Sequence, residues 1–132
     1  MPNTSITQDD LLSTEKKAWL AEQITRIHCE VMGVAPAVIR IVFLTPPDDA
    51  GVTGGQSTAC ANFTCLMPLR PSVQSKAVLL TRPSVIYEEA TGAPTEQLMT
   101  ALQETPRSSS IEMGRIMPDP GNGAAGQALF GR

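Results

Sequence analysis

The sequence predicts an α/β fold, a two-layer α+β sandwich built from two β-α-β units in tandem. Three observations carry this. Leu20, Ile24, Ile27 and Val31 recur at spacings of four, three and four, an apolar stripe at helical period. A β-branched run follows it directly over residues 37–44, stopped by Pro46 and Pro47. The same alternation then returns: an apolar stretch over residues 57–67, a helical segment from Pro71, and another apolar run ending near Gln103. Strands that alternate with helices need crossover connections, which lay each helix on one face of a shared sheet. The opposite face then needs cover, so self-association is expected.

The elements follow in order. A short N-terminal strand opens the chain. Ser13 is suited to cap the first helix, with Glu15 in the first turn where negative charge favours the helix dipole. Gly33 ends that helix, and Pro36 turns the chain into the 37–44 strand. Residues 48–57, rich in Asp, Gly and Thr, read as a loop, and 57–67 as a strand or a strand–turn–strand. The second helix starts near Pro71-Ser72 and runs towards Glu88, Glu89 and Gly92. Pro83 inside it removes a hydrogen bond and predicts a kink or a break. Residues 97–103 read as the last strand, closed by Thr105-Pro106. From Pro118 onward the chain is rich in Gly and Ala and offers little to a core. Trp19, the lone tryptophan, is expected to pack.

At 132 residues the chain fits one domain, 1–132, with a first unit over 1–47, a second over 57–104 and a C-terminal segment over 105–132. Apolar residues make up 42%, enough for a core. A net charge of -3 argues against nucleic acid, whose recognition needs clustered Lys and Arg. No apolar run approaches the roughly 18 residues of a membrane span. The opening Met-Pro-Asn-Thr-Ser, leading to Asp9 and Asp10, does not read as an export signal, so a cytoplasmic protein is expected. Cys29, Cys60 and Cys65 cannot all pair within one chain, and free thiols serving as small core residues are expected. His28 is the only histidine and no Cys-x-x-Cys spacing occurs, so no metal site is expected. Cys29 and His28, as helix neighbours, point about 100° apart and are poorly placed as a nucleophile–base pair.

Several segments together resemble the tautomerase superfamily, nearest its cis-3-chloroacrylic acid dehalogenase branch. They are Pro2, Gln8-Asp9, the Ile24-Thr25-Arg26-Ile27-His28 segment, Thr53-Gly54-Gly55, Arg70 before a helix, Glu104-Thr105-Pro106, and the stretch from Glu112 through Gly114-Arg115 to Pro118-Asp119-Pro120-Gly121. The resemblance spans nearly the whole chain. It implies a homotrimer of tandem β-α-β units, no cofactor, and a mature N-terminal proline that transfers protons. Once Met1 is removed, proline carries a secondary amine, and an apolar pocket near cations lowers its pKa towards neutrality.

Residue by residue, the resemblance makes Pro2 the proton-transfer group and Glu112 the carboxylate that activates water. It makes His28 a carboxylate-binding or carbonyl-polarising residue and Arg70 a substrate-carboxylate ligand, a role that suits a planar guanidinium fork. Two positions depart from the branch. Arg70 is followed by Pro71, Ser72 and Val73 rather than by a second arginine, and Ala101 stands where the branch has a tyrosine. Three functions are expected to compete. The first is a tautomerase acting on small 2-oxo or enol carboxylates; the second is a cis-3-haloacrylate dehalogenase or hydratase; the third is a non-catalytic trimeric scaffold. The small carboxylate and further copies of the chain are the expected partners.

Overall fold

Strict alternation sets the centre of the sheet. In β1, Asn3–Gln8, the side chains of Thr4, Ile6 and Gln8 are buried while Asn3, Ser5 and Thr7 are half-buried on the other face. The computed structural model describes residues 2–8, 12–47, 50–58, 61–68 and 70–116. β2, Arg40–Leu44, lies parallel to β1, and Asn3 is in register with Arg40. β5, Ala61–Met67, runs antiparallel on the other side of β1, with Asn3 opposite Leu66. β6, Leu98–Glu104, lies parallel to β5, with Met67 opposite Glu104. The order β2-β1-β5-β6 is thus two parallel pairs joined back to back, the tandem β-α-β arrangement.

Both crossovers are helices on one face. Helix α1, Thr14–Met32, starts where Ser13 Oγ accepts the Lys16 N–H at 3.2 Å. It stops at Gly33, whose φ of 65° lets its N–H reach the Cys29 carbonyl at 2.9 Å. Leu20, Ile24, Ile27 and His28 form its buried face. Helix α2, Val73–Thr91, is capped in the same way by Ser72 and Gly92. Between helices and sheet, Ile6, Leu12, Leu20, Ile24, Ala61, Phe63 and Tyr87 make one core cluster, with Phe63 and Tyr87 edge to face at 5.1 Å. Ile27, Cys65, Met67 and Leu79 make a second.

Several expectations needed correction. Residues 48–57 are not all loop: β3, Val52–Thr53, pairs with β4, Gln56–Ser57, around Gly54 and Gly55 at φ 59° and 80°. Two consecutive positive φ angles are what a tight hairpin turn requires, and glycine adopts them without strain. The β-branched run becomes strand only from Arg40, because Pro36–Val38 first closes a 3-10 turn. Residues 61–67 form one strand with no internal turn. α2 continues through Pro83 without a break. The Pro83 ring is buried, and the hydroxyls of Thr81 and Ser84 on either side of it donate back to the Ala77 and Leu80 carbonyls at 2.7 and 2.9 Å. Trp19 lies on the exposed face of α1. The segment from Pro118 onward, Asp9 and Cys60 lie outside the described residues.

Among the described residues no helix is long and apolar enough to cross a membrane. The sheet face away from the helices leaves Val42, Leu44, Leu66 and Met99 exposed.

Candidate active site

One end of the sheet gathers most of the residues singled out from the sequence. Pro2 begins the chain's path into β1. Its side chain is fully buried, and its carbonyl accepts the Arg40 N–H at 3.0 Å, which fixes the start of β1 against the start of β2. Because β5 is antiparallel to β1, its last residues, Met67 and Pro68, come back to this end. The chain then needs only the short link through Arg70 to reach Ser72 and the N-terminus of α2. β6 also leaves the sheet here, its exit fixed by the Thr105 N–H on the Met67 carbonyl at 2.9 Å. The α1 C-terminus at Gly33 ends close to the β2 start for the same topological reason.

Arg70 is exposed and forms no ion pair among the described residues. It sits two residues before the α2 N-cap, where the unpaired backbone N–H groups and the helix dipole already favour an anion. In the first turn of that helix Lys76 pairs with Glu104 at 2.6 Å, so Glu104 is committed to closing α2 onto β6. Glu112 lies on β7, Ile111–Glu112, which pairs with β8, Arg115–Ile116, in a small hairpin beyond β6. It is half-buried.

His28 sits on α1 above β1, in the layer of Thr4, and is 2% exposed. A carbonyl can only accept, so the 2.9 Å contact between His28 Nδ1 and the Ile24 carbonyl puts the proton on Nδ1. Nε2 is then the acceptor, and it faces the Cys65 thiol at 3.5 Å. Burial holds the His28 pKa below its ordinary value, against a smaller opposing effect from the bond to Ile24. Burial likewise pushes the Cys65 thiol up, while Thr4 nearby pulls weakly the other way. Both shifts favour the neutral forms, so the pair is a thiol beside an imidazole and not a thiolate–imidazolium nucleophile. Thr4 Oγ1 is shut from solvent and stops short of a full hydrogen bond.

Thr4, His28, Cys65, Pro83, Thr100 and Ala101 line a cavity of about 10 Å3. That has room for one water at most and none for a substrate. Ala101, on β6 opposite Thr64, brings no polar group to it. The structure therefore brings Pro2 and Arg70 to one end of the sheet with the segment that carries Glu112. It places His28 one layer inward, with both ring nitrogens engaged within the protein.

The sequence reading missed Arg107. It lies in the 3-10 turn Arg107–Ser109 just after β6, and it is 5% exposed. Nothing in Thr105-Pro106-Arg107 signals burial, since a lone arginine after a proline ordinarily reads as a surface charge. Thr4 could have been found, because the alternation of β1 assigns it to the same face as Pro2 and Ile6. Among the described residues no group of three or more His, Cys, Asp or Glu is arranged to hold a metal.

No family model matches the sequence, and no curated protein matches it as a relative. Solved structures do match the fold. A fused 4-OT wild-type asymmetric trimer superposes with a TM-score of 0.81 at 17% identity, covering 98% of this chain and 99% of that one. N1, a member of the cis-3-chloroacrylic acid dehalogenase (cis-CaaD) family, gives 0.80 at 18% identity over 90% of this chain and 85% of that one. A protein captured after inactivation by 2-oxo-3-pentynoate gives 0.79 at 22% identity over 98% and 99%. Identities this low speak for architecture alone, and over nearly its whole length the chain has the tandem β-α-β fold of the tautomerase superfamily.

Proposed function

We propose that the chain is a cofactor-independent tautomerase that uses the amino group of Pro2 on small 2-oxo or enol carboxylates. The observation that carries this reading is the position of Pro2. It is buried at the start of the central strand, at the sheet end where Arg70 and the α2 N-terminus present positive charge. In the reaction, neutral Pro2 nitrogen takes a proton from an enol hydroxyl or an α-carbon and returns it to another carbon of the conjugated system. Arg70 and the α2 N-terminus hold the substrate carboxylate. The same positive potential disfavours the protonated amine, which keeps Pro2 basic near neutral pH. His28, engaged with Ile24 and Cys65, acts here as support beneath β1 and leaves oxyanion stabilisation to Arg70 and the α2 N-terminus. The working form is a homotrimer, because the exposed sheet face asks for a partner and 4-OT structures of this fold are trimers.

A second reading is hydration or dehalogenation of a cis-3-haloacrylate, and the half-buried Glu112 on the segment that leaves the sheet at the Pro2 end favours it. Protonated Pro2 then delivers a proton to C2 while Glu112 directs water to C3.

The test combines intact mass with ketonisation of phenylenolpyruvate on one sample. Loss of the Met1 mass with turnover is expected, and Pro2→Ala should lower kcat/KM by about 10²-fold or more. In addition, 2-oxo-3-pentynoate should leave one adduct on the N-terminal peptide of the wild type and none on Pro2→Ala. Turnover that survives Pro2→Ala would sink the proposal. Retained Met1 without turnover would move the reading to a non-catalytic scaffold.

A further inference from the structure

The last residue of β6 carries a charge in a row that is otherwise uncharged. Leu98, Thr100 and Leu102 alternate onto the helix-covered face of the sheet. Leu98 and Leu102 pack there on the two core clusters, and Thr100 shares a hydrogen bond with Ser84 of α2 at 2.8 Å. Glu104 holds the next position of that row, and it is met across the layer by Lys76 of α2, Nζ to Oε1 at 2.6 Å. The side chains of Lys76 and Glu104 are 40% and 33% exposed, and a pair so open to water adds little stability. Its consequence is where it leaves the charge.

That place is set by the sheet registers. One step beyond the pair Asn3–Leu66, the antiparallel register of β1 and β5 brings Pro2 opposite Met67. Met67 is in turn opposite Glu104. Pro2, Met67 and Glu104 therefore form a row across the end of the sheet, with Pro2 and Met67 fully buried. Two strand spacings, about 10 Å, separate Pro2 from Glu104. A charge at that range still acts on a ligand at Pro2, because it lies within about one Debye length at 0.1 M salt.

The other charged groups divide by place. Burial favours neutral His28. Arg40, in register with Asn3, belongs to the sheet face away from the helices. Arg107 is buried in the turn after β6, and Glu112 and Arg115 stand opposite each other in the β7–β8 ladder. Arg70 is exposed and outside any ion pair among the described residues. Val73, three residues further on at the start of α2, is 78% exposed, so the surface that follows Arg70 is apolar. A free Lys76 would add a second open cation to the start of this helix.

We infer that the Lys76–Glu104 pair sets the specificity of the Pro2 end. Glu104 cancels the charge of Lys76, leaves Arg70 as the open cation at the start of α2, and so selects substrates with one carboxylate and an apolar remainder over dicarboxylates. This role rests on the carboxylate site proposed above and names the class of substrate that site takes.

The experiment is NMR titration of the full chain with cinnamate and with fumarate. Both acids have a trans double bond and one carboxylate in common; cinnamate adds a phenyl ring where fumarate adds a second carboxylate. Wild type should bind cinnamate more tightly, and Arg70→Ala should weaken that binding. Glu104→Gln should move the ratio of the two dissociation constants towards fumarate by about fivefold, the effect of one unit charge about 10 Å away near a protein surface. Lys76→Gln should move it the other way by a similar factor. The double variant, which removes both charges, should restore the wild-type ratio, and salt at about 0.5 M should shrink both single shifts. A pair that merely held α2 on β6 would give shifts of one sign, indifferent to salt and not repaired in the double variant, and that result overturns the inference. An unchanged ratio in Glu104→Gln overturns it too, while Arg70-dependent cinnamate binding leaves the carboxylate site standing. Cinnamate binding indifferent to Arg70→Ala removes the site and the inference together.

Discussion

His28 gives the molecule an acid limit that can be traced to one side chain, because the chain has a single histidine. In the fold it faces the Ile24 carbonyl on its own helix and Cys65 and Thr4 from the sheet, and no charged group lines its cavity. Burial therefore keeps it neutral to lower pH than in the unfolded chain, where a histidine titrates near about 6.5. Between those two values the unfolded state binds the extra proton. Stability is then complete above about pH 6.5 and is lost as pH falls from there towards the folded value, by up to about 1.4 kcal/mol per pH unit. Urea midpoints measured at about pH 5.5 and 7.5 should show this slope in wild type and lose it in His28→Asn. An equal slope in both proteins would mean that His28 does not set it. The sequence placed His28 one residue beyond Ile27, at the edge of the apolar stripe, and only packing against Cys65 and Thr4 makes it a core residue. Arg107 was invisible for a related reason, since composition does not reveal the turn after β6 in which it is buried.

The helices were legible because their boundaries are chemical. Ser13 and Gly33 fix α1, and Ser72 and Gly92 fix α2, through a hydroxyl that accepts an early N–H and a glycine that takes a positive φ. Gly92 isolates the second effect. At φ 70° a Cβ would meet nothing within 4 Å, so a change there acts through the backbone alone. Gly92→Ala should cost about 1–2 kcal/mol, read as a lower urea midpoint with an unchanged slope. A neutral result would show that α2 ends by fraying and not at that cap. The elements that escaped the sequence reading lacked such punctuation or used it ambiguously. Gly54-Gly55 looked like loop composition, yet the pair is also the signature of a tight hairpin. Pro83 looked like a helix breaker. Packing of its ring against the cavity under the sheet, with Ser84 also bonded to Thr100 on β6 at 2.8 Å, holds α2 in place through it. Local rules named the cost of that proline correctly but not the tertiary contacts that offset it.

At the scale of the molecule, one feature of the fold is incomplete in a single chain. The sheet covers one face with two helices and leaves the other to Arg40, Val42 and Leu44 on β2, Leu66 on β5 and Met99 on β6. Sheet registers put these residues on one side, since Asn3 pairs with both Arg40 and Leu66 and Asn62 pairs with Met99. Leu44 is 49% exposed, so a charge placed there costs the isolated chain little. Buried under another copy, the same charge would lose its hydration without a partner, at a cost of several kcal/mol per site. The difference between those costs isolates association from folding. Leu44→Asp should therefore keep the circular dichroism of the wild type while its sedimentation mass drops from three chains to the 14.0 kDa of one. Ketonisation should fall with it if neighbouring copies wall the space around Pro2, because the described cavity beneath the strand holds no more than one water. An unchanged mass would show that the copies meet elsewhere, and that the exposed residues of this face do not drive assembly.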